Sequence, residues 1–307
     1  MTEWLSQFPL TQHLLEFGKK QVCNALKTGP IPQHIGFIMD GNRTYAKSKH
    51  IELKEGHSAG FDSMARVLEV CYDCGVKCAT VFAFSIENFK RPSYEIKWLM
   101  ELAKSKFRQV VANGELCEKY GVRIKILGDL DLIPDDVKEV FLKAEEITKD
   151  NKRVVLNVCW CYTSRDDMTK SIKKTIEQFN DSLNELDIQD INEEIITRNL
   201  YTGKSPPLDL LIRTSGVYRL SDFMLWEAIE KRCSIEILEI LWPQLDALHM
   251  VWELTKWSFS RTYLFKDKYE IEIETAKEGG NRSINNKLDE DKIMDDEFDG
   301  VEKMKVI

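Results

Sequence analysis

The sequence predicts an α/β protein with a mainly parallel, six-stranded central sheet flanked by helices. Six short apolar runs are separated by segments of helical periodicity, and strands that helices cover on both faces read as continuous apolar runs. An amphipathic segment precedes this alternating region and an acidic segment follows it. We therefore predict three parts: an N-terminal amphipathic helix over 1–29, one folded domain over 30–274 and an acidic, disordered tail over 275–307.

The predicted strands and helices alternate along the folded domain. Strands are short runs of apolar residues, and helices show apolar residues at three- and four-residue spacing. The predicted strands are 34–39, 76–84, 122–127, 154–160, 208–212 and 234–238. The predicted helices are 58–73, 93–120, 135–148, 166–179, 222–230 and 243–263. Between the first strand and the first of these helices, residues 40–49 form a polar segment.

The first 28 residues have an apolar face that includes Trp4, Phe8 and Leu15, and lysines gather late in the segment. The Gly-Pro-Ile-Pro sequence at 29–32 ends the helix. Two interpretations stay open. The helix packs on the core of the domain, or it lies on a membrane surface with its apolar face in the lipid.

Composition excludes several function classes. The chain has 307 residues, with 43 Lys and Arg against 51 Asp and Glu, which gives a net charge of −8. An acidic chain is a poor candidate for binding to nucleic acid, so we expect no nucleic-acid partner. The longest apolar runs are far shorter than the roughly 18 residues that a membrane span needs, and no secretory signal is visible.

The eight cysteines favour buried, reduced thiols over a metal or redox site. Cys71, Cys74 and Cys78 have the spacing of one helix face, and Cys159 and Cys161 have the spacing of one strand face. A zinc site needs a second pair or histidines at ligand spacing, and none is adjacent. The Cys71-x-x-Cys74 sequence has the form of a redox motif, but it falls late in a helix.

Polar side chains collect where the predicted strands end. Asp40 and Arg43 follow the first strand, Arg91 lies beyond the second, and Arg213 and Arg219 follow the fifth. Ligands of parallel α/β sheets bind beyond the carboxyl ends of strands. Arginines recognise phosphate oxygens, and a lone aspartate can hold Mg²⁺ against a diphosphate. The pattern predicts a site for phosphate esters, with arginines in solvated loops and Asp40 as a helix cap as the alternative.

Several ordered motifs resemble the signatures of the cis-prenyltransferases. They are HIGFIMDGNR at 34–43, GHSAG at 56–60, FAFSIENFKR at 82–91, IRTSGVYRLSDF at 212–223 and LWP at 241–243. The resemblance covers about residues 30–260 and is strongest to fungal dehydrodolichyl diphosphate synthases. It identifies 30–274 as a catalytic domain with the cis-prenyltransferase fold.

The resemblance implies repeated condensation of isopentenyl diphosphate onto an allylic diphosphate, starting from farnesyl diphosphate, with each new double bond cis. It implies Mg²⁺ as the cofactor, held by Asp40, with Asn88 and His57 assisting near the reacting centre. By the same resemblance the allylic diphosphate is gripped by Gly41, Asn42, Arg43 and Arg91, the reacting centre is lined by Ser85 and Phe89, and isopentenyl diphosphate is gripped by Arg213, Arg219 and Ser221. Aromatic and leucine side chains are expected to line a channel for the growing chain, namely Phe82, Phe84, Trp98, Leu99, Leu102 and Phe107.

The sequence departs from the family pattern at four places. Thr44 stands where a second arginine is usual, Val217 where a glutamate is usual, and Ser234 aligns with a metal-binding glutamate of bacterial members. No Arg-x-Gly follows Leu241 in this sequence. The resemblance therefore implies a heteromer, in which a non-catalytic subunit supplies the Arg-x-Gly segment. We expect the interface to use Trp252, Leu254, Trp257 and Phe259.

Two other assignments follow from the resemblance. The chain is expected at the cytosolic face of the endoplasmic reticulum membrane as a peripheral protein, with lipid droplets as a second location, and to take part in dolichol synthesis for protein glycosylation. The alternative function is the non-catalytic subunit of the same complex. The Asp-Asp-x-x-Asp sequence at 295–299 has the form of a trans-prenyltransferase metal motif, but it lies in the acidic tail, so we interpret it as a coincidence.

Overall fold

The computed structural model describes residues 18, 20–113, 115–180, 191–229 and 233–264. Their strands form one six-stranded sheet in the order β3-β4-β2-β1-β5-β6, and every pair of neighbouring strands is parallel. The strands are β1 His34–Ile38, β2 Cys78–Ser85, β3 Val122–Leu127, β4 Val154–Tyr162, β5 Leu210–Arg213 and β6 Ser234–Ile237. The predicted sheet is confirmed, and it is parallel throughout.

Helices connect these strands. Those described are α1 Asn42–Lys49, α2 Leu53–Asp73, α3 Ser93–Asn113, α4 Glu115–Tyr120, α5 Asp135–Thr148, α6 Ser164–Asn180, α7 Glu193–Asn199, α8 Leu225–Ala228 and α9 Ala247–Phe259. Residues 42–49, predicted only as polar, form α1, and α7 was not predicted. The predicted helix over 222–230 is only one turn long, since Asp222 and Met224 have positive φ angles of 62° and 46°, which a right-handed helix does not allow.

The sheet has a core on each face. Alternating residues of β1 enter different cores: Ile35 and Phe37 belong to the larger core, and Ile38 belongs to the smaller one. The larger core packs the sheet against α2, α3, α5 and α9, whereas Phe223 and Met224 complete the smaller core. Two covered faces explain why the strands are apolar throughout.

Strand order places a crevice between β1 and β5. The chain leaves β1 toward β2 on one side and leaves β5 toward β6 on the other. Such a reversal of direction leaves a gap beyond the carboxyl ends of the two strands, where ligands bind in open α/β sheets. Asp40 and Arg213 lie at these two strand ends, because Ile38 of β1 pairs with Arg213 of β5.

The N-terminal segment is helical at residues 20–26. Cys23 there is buried, and its Sγ lies 2.9 Å from the Sγ of Cys74 at the end of α2. This part of the predicted helix therefore packs on the core. Residues 1–17, which carry Trp4 and Phe8, lie outside the described residues, as does the predicted tail over 275–307, so the membrane interpretation stays a prediction.

The cysteine spacing correctly predicted that the thiols are buried, but both faces that it predicted, one on a helix and one on a strand, are wrong. Seven of the eight thiols are buried, and none of the eight forms a disulfide bond. Cys78 starts β2 and does not continue the helix face of Cys71 and Cys74. Cys159 and Cys161 enter opposite cores, because the φ of 51° at Cys161 and a shift in register against β2 reverse the alternation. No cluster of metal-ligating side chains occurs in the described part of the chain.

Only some of the predicted interface residues of α9 are on the surface. Leu254 and Trp257 are buried in the larger core, so their assignment to an interface is wrong. Trp252 is 61% exposed and Leu248 is 79% exposed. The described residues up to Ser258 form one compact unit, and Ser260–Leu264 of a second unit form a π-helical turn. No helix among the described residues combines the length and apolar character needed to cross a bilayer.

Candidate active site

Asp40, just beyond β1, is held from two sides. Its Oδ1 accepts a hydrogen bond from the backbone N–H of Gly41 at 2.8 Å, and its Oδ2 accepts one from Nη2 of Arg213 at 2.6 Å. Its backbone is tied to β5, because its N–H donates to Oγ1 of Thr214 at 3.1 Å and the same hydroxyl donates to its carbonyl at 2.7 Å. The carboxylate is thereby fixed across the crevice between the two strands.

Gly41 makes the turn from β1 into α1. Its φ is +106°, which L side chains rarely adopt, and an added Cβ would lie 2.9 Å from Cδ2 of Leu241. Trp242, which follows Leu241, donates its backbone N–H to the carbonyl of Asp40 at 2.9 Å. The Leu-Trp-Pro segment therefore packs directly against the Asp40 turn, and a larger residue at 41 would separate them.

Asn42, the first residue of α1, packs against two glycines of α2. Its Nδ2 donates to the carbonyl of Met39 at 3.2 Å. An added Cβ at Gly60 would collide with Oδ1 of Asn42, and one at Gly56 would lie 2.7 Å from its carbonyl oxygen. The glycines thus permit the close approach of α1. Oδ1 of Asn42 is buried, and no described residue donates a hydrogen bond to it.

The turn after β2 carries Ser85 and Asn88. Oγ of Ser85 accepts from the N–H of Glu87 at 3.1 Å, and Oδ1 of Asn88 accepts from the N–H of Ser85 at 3.1 Å. This reciprocal cap stabilises the 3-10 turn at Ile86–Lys90. Arg91 follows the turn, and its Nη1 lies 2.9 Å from Oε1 of the buried Glu95. Ser85 and Asn88 therefore have a structural role beside any role toward a ligand.

Arg213, at the end of β5, is a buried guanidinium that organises the following loop. Besides its contact with Asp40, its Nη1 donates to Oγ of Ser221 at 2.8 Å and to the carbonyl of Arg219. Gly216 allows the loop to turn, with φ +63° and Glu239 at the position that a Cβ would take. The side chain of Arg219 is exposed. The loop thus places one fixed arginine and one exposed arginine at the same end of the sheet.

His57 lies on α2 and faces the site as a neutral ring. Burial, with smaller contributions from the positive charges of Arg91 and Arg43, lowers its pKa to about 4. The ring packs at a tilt against Trp98, with centroids 5.7 Å apart. Its Nε2 is buried and has no hydrogen-bond partner among the described residues. A ligand in the site therefore finds a neutral imidazole nitrogen.

One cavity of about 700 Å³ joins these groups. At its polar end it is lined by Asp40, Gly41, Asn42, Arg43, Thr44, His57, Ser85, Glu87, Asn88, Arg91, Arg213, Arg219, Ser221 and Asp222. Its interior passes between the sheet and helices α2 and α3, where the lining is apolar and includes Met64, Leu99, Leu102, Phe107, Val110, Ile124, Leu156 and Trp160. Phe82, which packs against the smaller core, also lines the cavity. The cavity can hold a ligand with a charged head and a long apolar tail.

Most of the predicted site residues line this cavity, and three predicted aromatic residues do not. Phe89 packs edge-on against Phe84, with centroids 5.1 Å apart. Phe84 is fully buried and stacks on Trp160 at 5.3 Å, and Trp98 packs against His57. Phe82 and Phe84 would share a face in a regular strand, but the register against β4 shifts between them, so they pack in opposite cores. Composition alone does not report this irregularity.

Sequence reasoning missed the residues that hold the site together. Thr214 fixes the backbone of Asp40, Glu95 pairs with Arg91, and Asp222 lines the cavity. Two of the three could have been found from the sequence, since Thr214 and Asp222 fall inside the IRTSGVYRLSDF motif. Ser234 pairs with Leu210, at the opposite end of β5 from Arg213. Ser234 therefore does not lie at the strand ends beside Asp40.

The sequence also matches a known family. A family model described as putative undecaprenyl diphosphate synthase matches residues 38–263, which include the cavity and all but the first residues of the sheet. The chain belongs to this prenyltransferase family. It is therefore a transferase.

Relatives within the prenyltransferase family are similar over most of their length. A dehydrodolichyl diphosphate synthase complex subunit of Schizosaccharomyces pombe is 45% identical over 80% of this chain and 92% of its own. The corresponding subunit of Homo sapiens is 40% identical over 82% of this chain and 74% of its own. A crystal structure of lavandulyl diphosphate synthase from Lavandula x intermedia with dimethylallyl diphosphate has a TM-score of 0.67 and 26% identity, over 74% of this chain and 95% of that one.

A probable undecaprenyl diphosphate synthase of Campylobacter jejuni is a second structural neighbour. Its TM-score is 0.60 at 30% identity, with 74% of this chain and 95% of that chain covered. The two neighbours have the same fold as this prenyltransferase, so the predicted family and fold are confirmed.

Proposed function

We propose that the chain is the catalytic subunit of a dehydrodolichyl diphosphate synthase. It would add isopentenyl units in cis to farnesyl diphosphate and so make the long-chain polyprenyl diphosphate that precedes dolichol in protein glycosylation. The observation that carries this proposal is the cavity whose arginine-rich polar end continues into an apolar interior. The names of the fungal and human relatives support the same activity.

The polar end of the cavity has arginines enough for two diphosphates. Arg43 and Arg91 lie on the side of α1 and β2, and Arg213 and Arg219 lie on the side of β5. Guanidinium groups bind phosphate oxygens through paired, charge-assisted hydrogen bonds. We assign the first pair to the allylic diphosphate and the second pair to isopentenyl diphosphate. Asp40 lines the same end of the cavity and pairs with Arg213.

In the proposed reaction, negative charge develops on a diphosphate beside these arginines. The carbon–oxygen bond of the allylic diphosphate breaks, and diphosphate leaves with the electron pair. A new carbon–carbon bond forms from the double bond of isopentenyl diphosphate, and the resulting cation loses a proton. Arg43 and Arg91 stabilise the negative charge that develops on the leaving diphosphate, and Arg91 is held in place before the reaction by its ion pair with Glu95.

The site has donors that suit Mg²⁺. This ion binds through one or two carboxylates together with water and substrate phosphates, and Asp40 presents a carboxylate at the cavity beside the proposed diphosphate sites. Asp40 would hold the ion, which when bound neutralises charge on the diphosphates. No other carboxylate needs to complete the site, because phosphate oxygens supply the remaining ligands.

His57 and Asn42 offer buried polar atoms to the substrates. Nε2 of His57 and Oδ1 of Asn42 have no hydrogen-bond partner among the described residues. Such atoms are costly to bury unless a ligand or water satisfies them. The lowered pKa of His57 keeps the ring uncharged at neutral pH. His57 is therefore able to accept a hydrogen bond or a proton near the reacting centre.

The apolar interior suits the growing polyprenyl chain. Aliphatic and aromatic side chains exclude water there, which protects the carbocation-like reacting centre from hydrolysis. Each isoprene unit added at the polar end would push the existing chain deeper between α2 and α3. The apolar interior, and not the polar end, would then set the length that the chain reaches before release.

We further propose that the chain acts in a heteromeric complex at the endoplasmic reticulum membrane, or on lipid droplets, as a peripheral protein. The relatives from yeast and human are named as complex subunits, which supports a heteromeric complex. We assign the role of partner to a non-catalytic subunit of the same family. The exposed Leu248 and Trp252 of α9 offer an apolar surface to that partner. Contact with the membrane would place the apolar product where it is released.

Turnover of radiolabelled isopentenyl diphosphate tests the proposal. The full chain, alone and co-expressed with a candidate non-catalytic subunit, is assayed with farnesyl diphosphate and Mg²⁺, and the products are sized. Label in long-chain polyprenyl diphosphate, lost with Asp40→Ala in the same complex, is the expected result. A complex whose turnover is unaffected by Asp40→Ala would assign this chain the non-catalytic role instead.

A further inference from the structure

Arg165 at the start of α6 binds a loop of the active site from outside the cavity. Its Nε lies 2.7 Å from Oδ2 of Asp222, and its backbone N–H donates to Oδ1 of the same carboxylate at 3.1 Å. Asp222 lines the cavity and its side chain is only 12% exposed, whereas Arg165 does not line the cavity. The pair therefore joins α6 to the wall of the active site.

The neighbouring backbone strengthens this junction. The N–H of Ser164 donates to the carbonyl of Asp222 at 2.8 Å, and Oγ of Ser164 accepts from the N–H of Leu225 at 2.9 Å. With the two bonds of Arg165, four hydrogen bonds connect the first turn of α6 to the segment from Asp222 to Leu225. Three of the four involve Asp222, so this residue is the centre of the contact.

The loop held in this way has an unfavourable backbone. Ser221, Asp222 and Met224 have φ angles of 53°, 62° and 46°. Non-glycine residues in this region cost roughly 1 kcal/mol each or more, and they persist only where the surroundings hold them. Phe223 between them is fully buried and stacks on Phe82 at 4.6 Å. Burial of Phe223 and the contact with α6 are what hold the strained turn.

This turn sets the position of two proposed ligands of isopentenyl diphosphate. Oγ of Ser221 accepts from Arg213, and the carbonyl of Arg219 accepts from the same guanidinium. A shift of Asp222 would move the adjacent Ser221 and release Arg213 from one of its partners. A second, longer contact reaches the other side of the cavity, because Nη2 of Arg165 lies 3.8 Å from Oε1 of Glu87.

We propose that Arg165 is a positioning residue, which holds Asp222 so that Ser221, Arg219 and Arg213 keep the geometry that binds isopentenyl diphosphate. The inference rests on the proposed function for the assignment of that substrate. Arg165 is itself 71% exposed, so an isolated ion pair at this position would contribute little. We nevertheless expect Arg165 to affect substrate binding, because its partner Asp222 is shielded from solvent and belongs to a strained turn.

The test compares Arg165→Ala, Arg165→Lys, Asp222→Asn and the double variant Arg165→Ala/Asp222→Asn in the full chain, co-purified with its partner subunit. Asparagine tolerates the left-handed backbone at 222, so Asp222→Asn removes the charge and keeps the turn. Arg198→Ala is the matched control, since Arg198 forms an exposed ion pair with Glu194 on α7. The readouts are the KM for each diphosphate, the Kd for isopentenyl diphosphate and the thermal unfolding midpoint.

Arg165→Ala and Asp222→Asn are each expected to raise the KM and Kd for isopentenyl diphosphate about fivefold, with the KM for farnesyl diphosphate unchanged. The double variant should be no worse than either single variant, and Arg165→Lys should recover part of the loss. Effects that multiply in the double variant, or a lower unfolding midpoint with unchanged KM and Kd, would overturn the inference. If Arg165→Ala does not fold, Asp222→Asn decides the outcome.

These outcomes separate the inference from the proposed function. A wild-type complex that incorporates no isopentenyl diphosphate would refute the proposed function. A wild-type complex with normal turnover, in which Arg165→Ala and Arg198→Ala behave alike, would refute only the positioning role.

Discussion

Nη2 of Arg213 lies 2.6 Å from Oδ2 of Asp40, so a carboxylate beyond β1 and a guanidinium at the end of β5 form an ion pair across the crevice. Their sequence positions are 173 residues apart. Arg213 is nearly inaccessible to solvent, whereas the Asp40 side chain is 38% exposed at the cavity. A substitution at either residue therefore changes the partner as well as the site, and the variants must be chosen to separate the two effects.

Asp40→Asn is expected to lower turnover by roughly a hundredfold or more, because the charge that faces the diphosphates is lost. Asparagine keeps an oxygen for the N–H of Gly41, so the loss of fold stability should be smaller than in Asp40→Ala. Steady-state turnover and thermal unfolding measure the two effects. Asp62→Asn, at an exposed residue of α2, is the control. Near-normal turnover of a folded Asp40→Asn complex would contradict the assignment.

Arg213 and Arg219 should respond differently to substitution by alanine. Each loses a charge-assisted phosphate contact worth roughly 1.5–3 kcal/mol, so each variant should raise the KM for isopentenyl diphosphate about ten- to a hundredfold. Arg213→Ala should also lower the unfolding midpoint, since Asp40 and Ser221 lose a buried partner. Arg219→Ala should not, because its side chain is exposed. An unchanged KM in Arg219→Ala would exclude it from the binding site.

Thr44→Arg is expected to tighten binding of farnesyl diphosphate. Thr44 lines the cavity beside Arg43 and is exposed on the first turn of α1, so an arginine there has room and can reach the allylic diphosphate. The measurement is the Kd for farnesyl diphosphate, with Thr44→Lys for comparison, since lysine adds charge without the paired geometry. Loss of activity in Thr44→Arg would show that the loop binds its ligand in another way.

The free energy of unfolding is expected to fall as the pH rises, because the buried carboxyl group of Asp167 on α6 ionises. Burial raises the pKa of Asp167 to about 7. A raised pKa means that the folded state binds this proton more tightly than the unfolded state. The contribution of Asp167 to the free energy of unfolding is therefore complete below about pH 4 and is lost as the pH rises to about 7. The slope is at most about 1.4 kcal/mol per pH unit.

Asp167→Asn should remove that slope, because asparagine keeps an acceptor for the N–H of Tyr201 and does not ionise. Urea unfolding at intervals between pH 5 and pH 8 measures it, and Asp131→Asn at a fully exposed position is the control. Identical pH dependence in wild type and Asp167→Asn would mean that another group titrates in this range.

Leu248→Glu and Trp252→Glu are expected to weaken the proposed complex by roughly tenfold or more, because a charge replaces an apolar contact in the interface. Both residues are exposed on α9, so the fold of the isolated chain should be unaffected. Co-purification and a titration of the partner subunit measure the effect. Ile172→Glu, at a half-exposed position of α6, is the control. Equal binding by all three variants would place the interface elsewhere.

The order of the elements and the chemistry of the site were readable from the sequence. Apolar runs and helical periodicity are local, so they predicted all six strands to within two residues at each end. They predicted the helix at Asp135–Thr148 with the bounds that the structure shows. The motifs placed Asp40, Arg91 and Arg213 at strand ends, and parallel strands carry all such ends to one edge. Those residues line one cavity for that reason.

Tertiary structure alone decided which residues act together and which merely pack. The ion pair between Asp40 and Arg213, the hold of Thr214 on the Asp40 backbone and the contact of Arg165 with Asp222 each depend on strand order and loop geometry. Likewise, the φ of 51° at Cys161 and the register shift against β2 broke the alternation of β4 at that residue. Such contacts join distant parts of the chain, and local periodicity carries no information about them because their free energy arises only when the sheet has formed.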